Sequence, residues 1–281
     1  MKRSILIVAL FLITTVISCE KKEPSSTSIK FITDFSEAKN IAAKSDKPMI
    51  IDFYTDWCRW CDSLDANTYS DSLVISMSAK NVFVKINAEV DSNLAEEYAV
   101  SGFPTIVIAN PKGKEIDRIW GYMPPTEFYN QVQLYLQGKE TLDDYLTRLE
   151  DEPENLDYLL NVGKKYSSRS KSDKAIEYYE KIIKIDNKNE EGYGASAVAS
   201  IYDTQGRSRD YKAAIKTCMR LLQLFPDSPE ADDAAAEIGY YTERSGDKVE
   251  ALKIYKGYLK MNPESESAEW VKKRISEIEG K

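Results

Sequence analysis

Three similar helical blocks near the end of the chain constrain its fold more than any other feature. They read DKAIEYYEKIIKIDN, YKAAIKTCMRLLQLFP and DKVEALKIYKGYLKMNP, and aligning Ala175, Ala214 and Ala251 gives spacings of 39 and 37 residues. A period of roughly 20–50 residues marks a unit that cannot bury its apolar face alone and must stack on its neighbours. Within each block the apolar residues recur every three or four positions, so the stacked units are pairs of helices. About three such pairs are the fewest that bury a continuous core. The polar stretch 150–155 (EDEPEN), interrupted by Pro153, reads as the boundary before them, and 265–279 as a closing helix with a polar outer face. An all-α array is therefore expected over residues 150–281.

In the first block Gly163, Tyr166, Ala175 and Tyr179, and in the third Gly239, Ala251, Tyr255 and Pro263, have the spacing of tetratricopeptide repeats, which the array resembles. The middle block carries Ala199, Tyr202, Ala214 and Pro226, with extra residues at 206–209. The resemblance implies that the small residues let paired helices approach, the aromatic fills the gap, and the proline stops the second helix. It also implies a concave groove that takes a protein or peptide partner. Cys218 falls where the other blocks place Tyr179 and Tyr255, on the core seam, and reads as a small buried hydrophobe.

Residues 29–140 have a different rhythm. The stretch 35–44 is helical; 49–54 (MIIDFY), after Pro48, is a buried strand; 82–86 (VFVKI) is a second strand; 94–98 is helical. A third strand, 105–109 (TIVIA), ends in the turn Asn110-Pro111-Lys112-Gly113, 115–120 can pair with it as a hairpin, and 125–137 is a last helix. This is the pattern of an α/β domain. Between its first strand and the next helix stands Asp56-Trp57-Cys58-Arg59-Trp60-Cys61-Asp62. The chain has four cysteines, of which only Cys58 and Cys61 are neighbours, and no histidine. Histidine-based triads and imidazole metal ligands are thereby excluded. A zinc or iron–sulfur site lacks its second pair of ligands, so neither metal nor cofactor is expected.

A CxxC that follows a strand and opens a helix is a thioredoxin-like signature. Further motifs extend the resemblance across the domain: Asp52 inside the strand before Cys58, Lys85-Ile86-Asn87, and Gly102-Phe103-Pro104-Thr105. The stretch WCRWCDSLDANTYSDSLV, with Thr68, Tyr69 and Asp71, is similar to periplasmic thioredoxin-like domains of the disulfide-reductase kind. The resemblance implies that Cys58 attacks and that Cys61, more buried, resolves the mixed disulfide, the two closing a Cys58–Cys61 disulfide. It implies that Asp52 carries a proton for Cys61 and that Lys85 faces and modulates Asp52. It implies that Pro104 is cis and that Phe103 and Pro104 hold an extended substrate. Trp57 and Trp60 flank the dithiol and are either a contact surface or part of the core.

The chemistry suits these residue types. The thiolate is the nucleophile, and a free cysteine with a pKa of about 8.5 is mostly protonated at neutral pH. A helix N-terminus offers Cys58 unpaired N–H groups and the positive dipole end. Arg59 adds positive charge, whereas Asp56 and Asp62 oppose it. Many relatives carry a basic residue where Asp62 stands, and thioredoxin itself has Gly-Pro where this chain has Arg59-Trp60. Reduction and oxidation are both open to such a pair.

The N-terminus points to the cell envelope. Lys2 and Arg3 precede an apolar run, Ile5 to Ile17, which is shorter than the roughly 18 residues of a spanning helix and reads as a secretory signal. Val16-Ile17-Ser18-Cys19 resembles the bacterial lipobox, which implies cleavage after residue 18 and lipidation of Cys19. Residues 19–28 then form a charged, Ser-rich tether. The expected location is the periplasmic side of the envelope, lipid-anchored, with the outer membrane favoured by the lack of Asp after Cys19. That compartment permits disulfides. With 38 Lys and Arg against 46 Asp and Glu, the net charge of -8 argues against nucleic acid as a partner. Two function classes follow. One is an envelope thiol–disulfide oxidoreductase acting on protein or peptide disulfides and dithiols, with repeats that recruit a client or redox partner. The other is a peptide-binding scaffold with little redox turnover.

Overall fold

The structure is a computed structural model and describes residues 27–280. The signal segment and Cys19 lie outside the described residues. The expected order, an α/β domain followed by paired helices, is the observed one.

The α/β domain opens with α1 (Phe35–Ser45), whose first turn is capped by Asp34 accepting from the Glu37 N–H at 2.8 Å. There follow β1 (Met49–Tyr54), α2 (Arg59–Ser63), a π-helical turn (Leu64–Thr68) and α3 (Ser72–Ser76). Then come β2 (Val82–Asn87), α4 (Ser92–Glu97), β3 (Thr105–Ala109), β4 (Glu115–Trp120) and α5 (Pro125–Leu136). The sheet order is β2-β1-β3-β4, with β1 and β2 parallel and the other pairs antiparallel. Strand alternation splits β1 between two cores. Met49, Ile51 and Phe53 pack with Ala38 and Ala42 of α1, while Ile50 packs with Leu64, Val74 and Phe128 beside α2, α3 and α5. With both faces covered, β1 reads in sequence as one apolar run. Its single interruption, Asp52, lies on the face that carries α2.

The array comprises α7 (Leu156–Ser167) with α8 (Ser172–Ile185), α9 (Tyr193–Arg207) with α10 (Tyr211–Leu224), α11 (Glu230–Arg244) with α12 (Lys248–Met261), and the closing α13 (Ala268–Glu279). Close packing explains the small residues. A Cβ on Gly163 would meet the Tyr179 ring at 2.3 Å, and one on Gly239 the Tyr255 ring at 2.5 Å. In the middle pair Tyr202 stands twelve residues before Ala214, as Gly163 and Gly239 stand before Ala175 and Ala251, and Cys218 takes the tyrosine's place, so the small and the large partner are exchanged. Cys218 is fully buried, and burial pushes its thiol well up, which leaves it inert as a nucleophile.

One helix has no counterpart in the sequence reading. Residues between the domains form α6 (Leu142–Asp151), capped by Thr141, and its Leu142, Tyr145, Leu146 and Leu149 pack in the array's core beside α7. Of the stretch 150–155, expected to be the boundary, the first two residues belong to α6 and 152–155 form a short connector between two packed helices.

The domains meet at the edge strand β4. Asp117, fully buried, accepts from Lys165 Nζ at 2.9 Å, Arg169 Nη2 at 2.9 Å and the Leu142 N–H at 2.7 Å. Arg118 donates to the Ser168 and Tyr98 carbonyls and pairs with Glu115. The array thus covers a sheet edge that would otherwise be exposed.

Candidate active site

The Cys58–Cys61 pair is a disulfide at the start of α2. Its placement follows from local backbone chemistry. β1 ends at Tyr54, the Cys58 N–H turns back onto the Thr55 carbonyl at 3.1 Å, and Cys58 becomes the N-cap of α2, its Sγ accepting from the Cys61 N–H at 3.1 Å. The sulfur that faces the free N–H groups of the first turn is therefore that of Cys58. Both cysteines are buried, at 5% and 3% exposure, so the expected contrast in burial is slight. They differ in what they face. Cys58 lines a cleft of about 440 Å³ with Trp57, Arg59, Trp60, Ser63 and Phe103, and Cys61 does not.

Trp57 and Trp60 are 67% and 62% exposed, which places them on the surface and not in the core. Trp57 is held by two neighbours and Trp60 by one. The Trp57 ring stands edge-on to Phe103 at 5.8 Å and its Nε1 donates to Glu89 at 2.9 Å, while Trp60 lies 5.7 Å from Tyr122. The Phe103–Pro104 peptide is cis. Its loop is tied to β4, where the Gly121 N–H donates to the Pro104 carbonyl at 2.8 Å.

Asp52 is 1% exposed and neither carboxylate oxygen has a hydrogen-bond partner among the described residues. Burial pushes its carboxyl up to about 7; Lys85 pulls it down and Asp65 pushes it further up. Lys85 is the register partner of Asp52, as expected, but its ammonium lies 3.9 Å from Asp52 and is in direct contact with Asp65. Lys85 also sits near the Tyr54 and Phe31 rings. Asp65, in the π-helical turn, is a residue that the sequence reading missed. Its position four residues after Cys61 on a helical run was the available signal. Tyr69 is buried with its hydroxyl unpartnered, and burial, then Asp52, push that hydroxyl well above its ordinary range. Thr68 Oγ1 donates to the Met123 carbonyl at 2.6 Å, and Asp71 caps α3.

Such an arrangement can carry out thiol–disulfide exchange: a sulfur at an open cleft, a second sulfur behind it, and a buried acid poised near neutrality on the same side of the sheet. Residues 35–135 match the family described as thioredoxin-like domain. Over 115 residues, 38% of this chain, it is 32% identical to the thiol:disulfide interchange protein DsbD of Photorhabdus laumondii, of which it covers 20%. Over 121 residues, 43% of this chain, it is 30% identical to the chloroplastic M-type thioredoxin of Brassica napus, of which it covers 66%. The chain thus spans about a fifth of the length of the DsbD relatives it matches. A crystal structure of MamA is 21% identical at a TM-score of 0.40, covering 57% of this chain and 86% of that one. The likeness to thioredoxins and DsbD is carried by the α/β domain.

Proposed function

We propose that this protein is a thiol–disulfide oxidoreductase of the cell envelope, anchored by lipid at Cys19, which acts on disulfides of client polypeptides while its helical array recruits a partner. The observation that carries the reading is the Cys58–Cys61 disulfide with only Cys58 open to the cleft, above a sheet face that buries Asp52. The resemblance to thiol:disulfide interchange proteins supports it.

In the reducing direction the Cys58 thiolate attacks one sulfur of a client disulfide. A mixed disulfide forms and the first client thiolate leaves. Asp52, ionised, takes the proton of the Cys61 thiol, and the Cys61 thiolate attacks the Cys58 sulfur. The second client thiolate leaves and the Cys58–Cys61 disulfide closes. Two electrons pass from the pair to the client, and a dithiol partner must restore them. With a dithiol client the same steps run in reverse and the client is oxidised. Trp57, Trp60 and Phe103 supply the apolar surface on which an extended client rests. The test is to equilibrate the full chain in graded thiol buffers and count free thiols by alkylation. The reading expects Cys58 and Cys61 to interconvert together as a two-electron couple. A pair that never leaves one state contradicts it and leaves the repeats as the working part.

A further inference from the structure

A second cavity, of about 360 Å³, opens between the two domains. Arg118 and Trp120 of β4 form one side, and Asn161 and Lys164 of α7 with Asp203 and Arg207 of α9 form the other. In a chain of net charge -8 its wall carries four cations, Lys165 included, and one carboxylate. Two of the cations are committed. Arg118 is paired with Glu115 and two carbonyls, and Lys165 with Asp117. The other two, Lys164 and Arg207, have no carboxylate within 4.0 Å among the described residues. Arg207 uses only Nη2, towards Ser167 and Thr204, so Nε and Nη1 have no acceptor there. Its guanidinium is held over the half-exposed Trp120 ring at 5.1 Å, which fixes the fork in place.

The loop 102–104 links the cavity's wall to the dithiol cleft. A Cβ on Gly102 would lie 3.0 Å from Trp120 Nε1, so the indole packs directly on the loop 102–104, and Phe103 of that loop lines the cleft that Cys58 faces. The proposed path for a bound chain crosses this loop, which carries Phe103 of the cleft and abuts Trp120 of the cavity. An arginine fork with a free edge beside a lysine fits a carboxylate. Asp203, one turn before Arg207, keeps the wall's net charge low, which suits a single carboxylate better than a phosphate.

We propose that the interdomain cavity is a second subsite for the client polypeptide, taking an aspartate or glutamate side chain between Lys164 and Arg207 while the client's cysteine lies at Cys58. The proposal rests on the disulfide-exchange reading for the client's identity, but the binding itself needs no redox step. The test uses the full chain and synthetic peptides with their cysteine replaced by serine, each carrying one Glu or one Gln at positions two to eight residues from that serine. Affinity is read by titration calorimetry. At one or two positions Glu is expected to bind about 10-fold tighter than Gln, the gain of a charge-assisted pair. That preference should vanish in the Lys164→Gln/Arg207→Gln double variant and return in part with Arg207→Lys. Unchanged thermal unfolding of the double variant certifies its fold; if it unfolds early, Arg207→Lys and Lys164→Gln singly carry the comparison. No position with a Glu preference, or a preference undiminished when Lys164 and Arg207 lose their charge, overturns the subsite. A Glu preference in a protein whose dithiol never exchanges would sink the redox reading and leave the subsite standing.

Discussion

Asp52 shows how one residue ties burial to chemistry. A carboxyl with no hydrogen bond to either oxygen holds its proton to about pH 7, so it can both keep and release that proton near neutrality. Asp52→Asn is expected to slow release of the mixed disulfide by about 10²-fold, within the range of general acid–base effects, as stopped-flow kinetics would record. The stability consequence has a definite sign. The folded pKa lies above the unfolded value of 3.8, so the folded state binds more protons between about pH 4 and 7 and stability falls as pH rises through that window. At about 1.4 kcal/mol per pH unit the ceiling is roughly 4 kcal/mol. Urea unfolding at pH 5 and pH 8 should show Asp52→Asn losing most of this pH dependence. Asp65 raises the Asp52 carboxyl and engages the ammonium that would lower it. Asp65→Asn should therefore move the inflection of the exchange rate below pH 7. The cysteines and Asp52 were legible from one motif at the end of β1, and Lys85 from a second, Lys85-Ile86-Asn87 in β2. The competition of Asp65 for Lys85 was not, because it depends on where the π-helical turn puts a side chain.

At the scale of elements, periodicity carried most of the information. β1 and β3 are fully covered strands and read as apolar runs, and the paired helices read from their small and aromatic residues. α6 escaped because its apolar positions, 142, 145, 146 and 149, fall beside an acidic stretch that resembles a linker. The contrast between two glycines tests the packing account. Gly239 lies against Tyr255, so Gly239→Ala should cost roughly 1–3 kcal/mol by overpacking. Gly257, inside α12, has nothing within 4 Å of its missing Cβ, so Gly257→Ala should stabilise by about 0.5–1 kcal/mol. Chemical unfolding of both variants reads the two signs.

At the scale of the molecule, the junction at β4 makes the array part of the α/β domain's surroundings. Nothing in the sequence marked Asp117 as its centre, because its partners Leu142, Lys165 and Arg169 come from elements brought together only by folding. Asp117→Ala leaves the buried Lys165 without a carboxylate, while Arg169 keeps Glu115 at 2.8 Å, and should cost roughly 3–5 kcal/mol. It should also separate the unfolding of the two domains into distinct calorimetric transitions. A single transition at the wild-type midpoint would show that Asp117 does not couple them.

In the proposed function Cys58 is the sulfur that meets the client. The most direct measurement reacts Cys61→Ser and Cys58→Ser variants of the full chain, reduced beforehand, with a protein disulfide and maps the adducts by mass spectrometry. The expected result is a stable mixed disulfide on Cys58 in Cys61→Ser and little or none on Cys61 in Cys58→Ser. Equal adducts in both variants, or none in either, would contradict it.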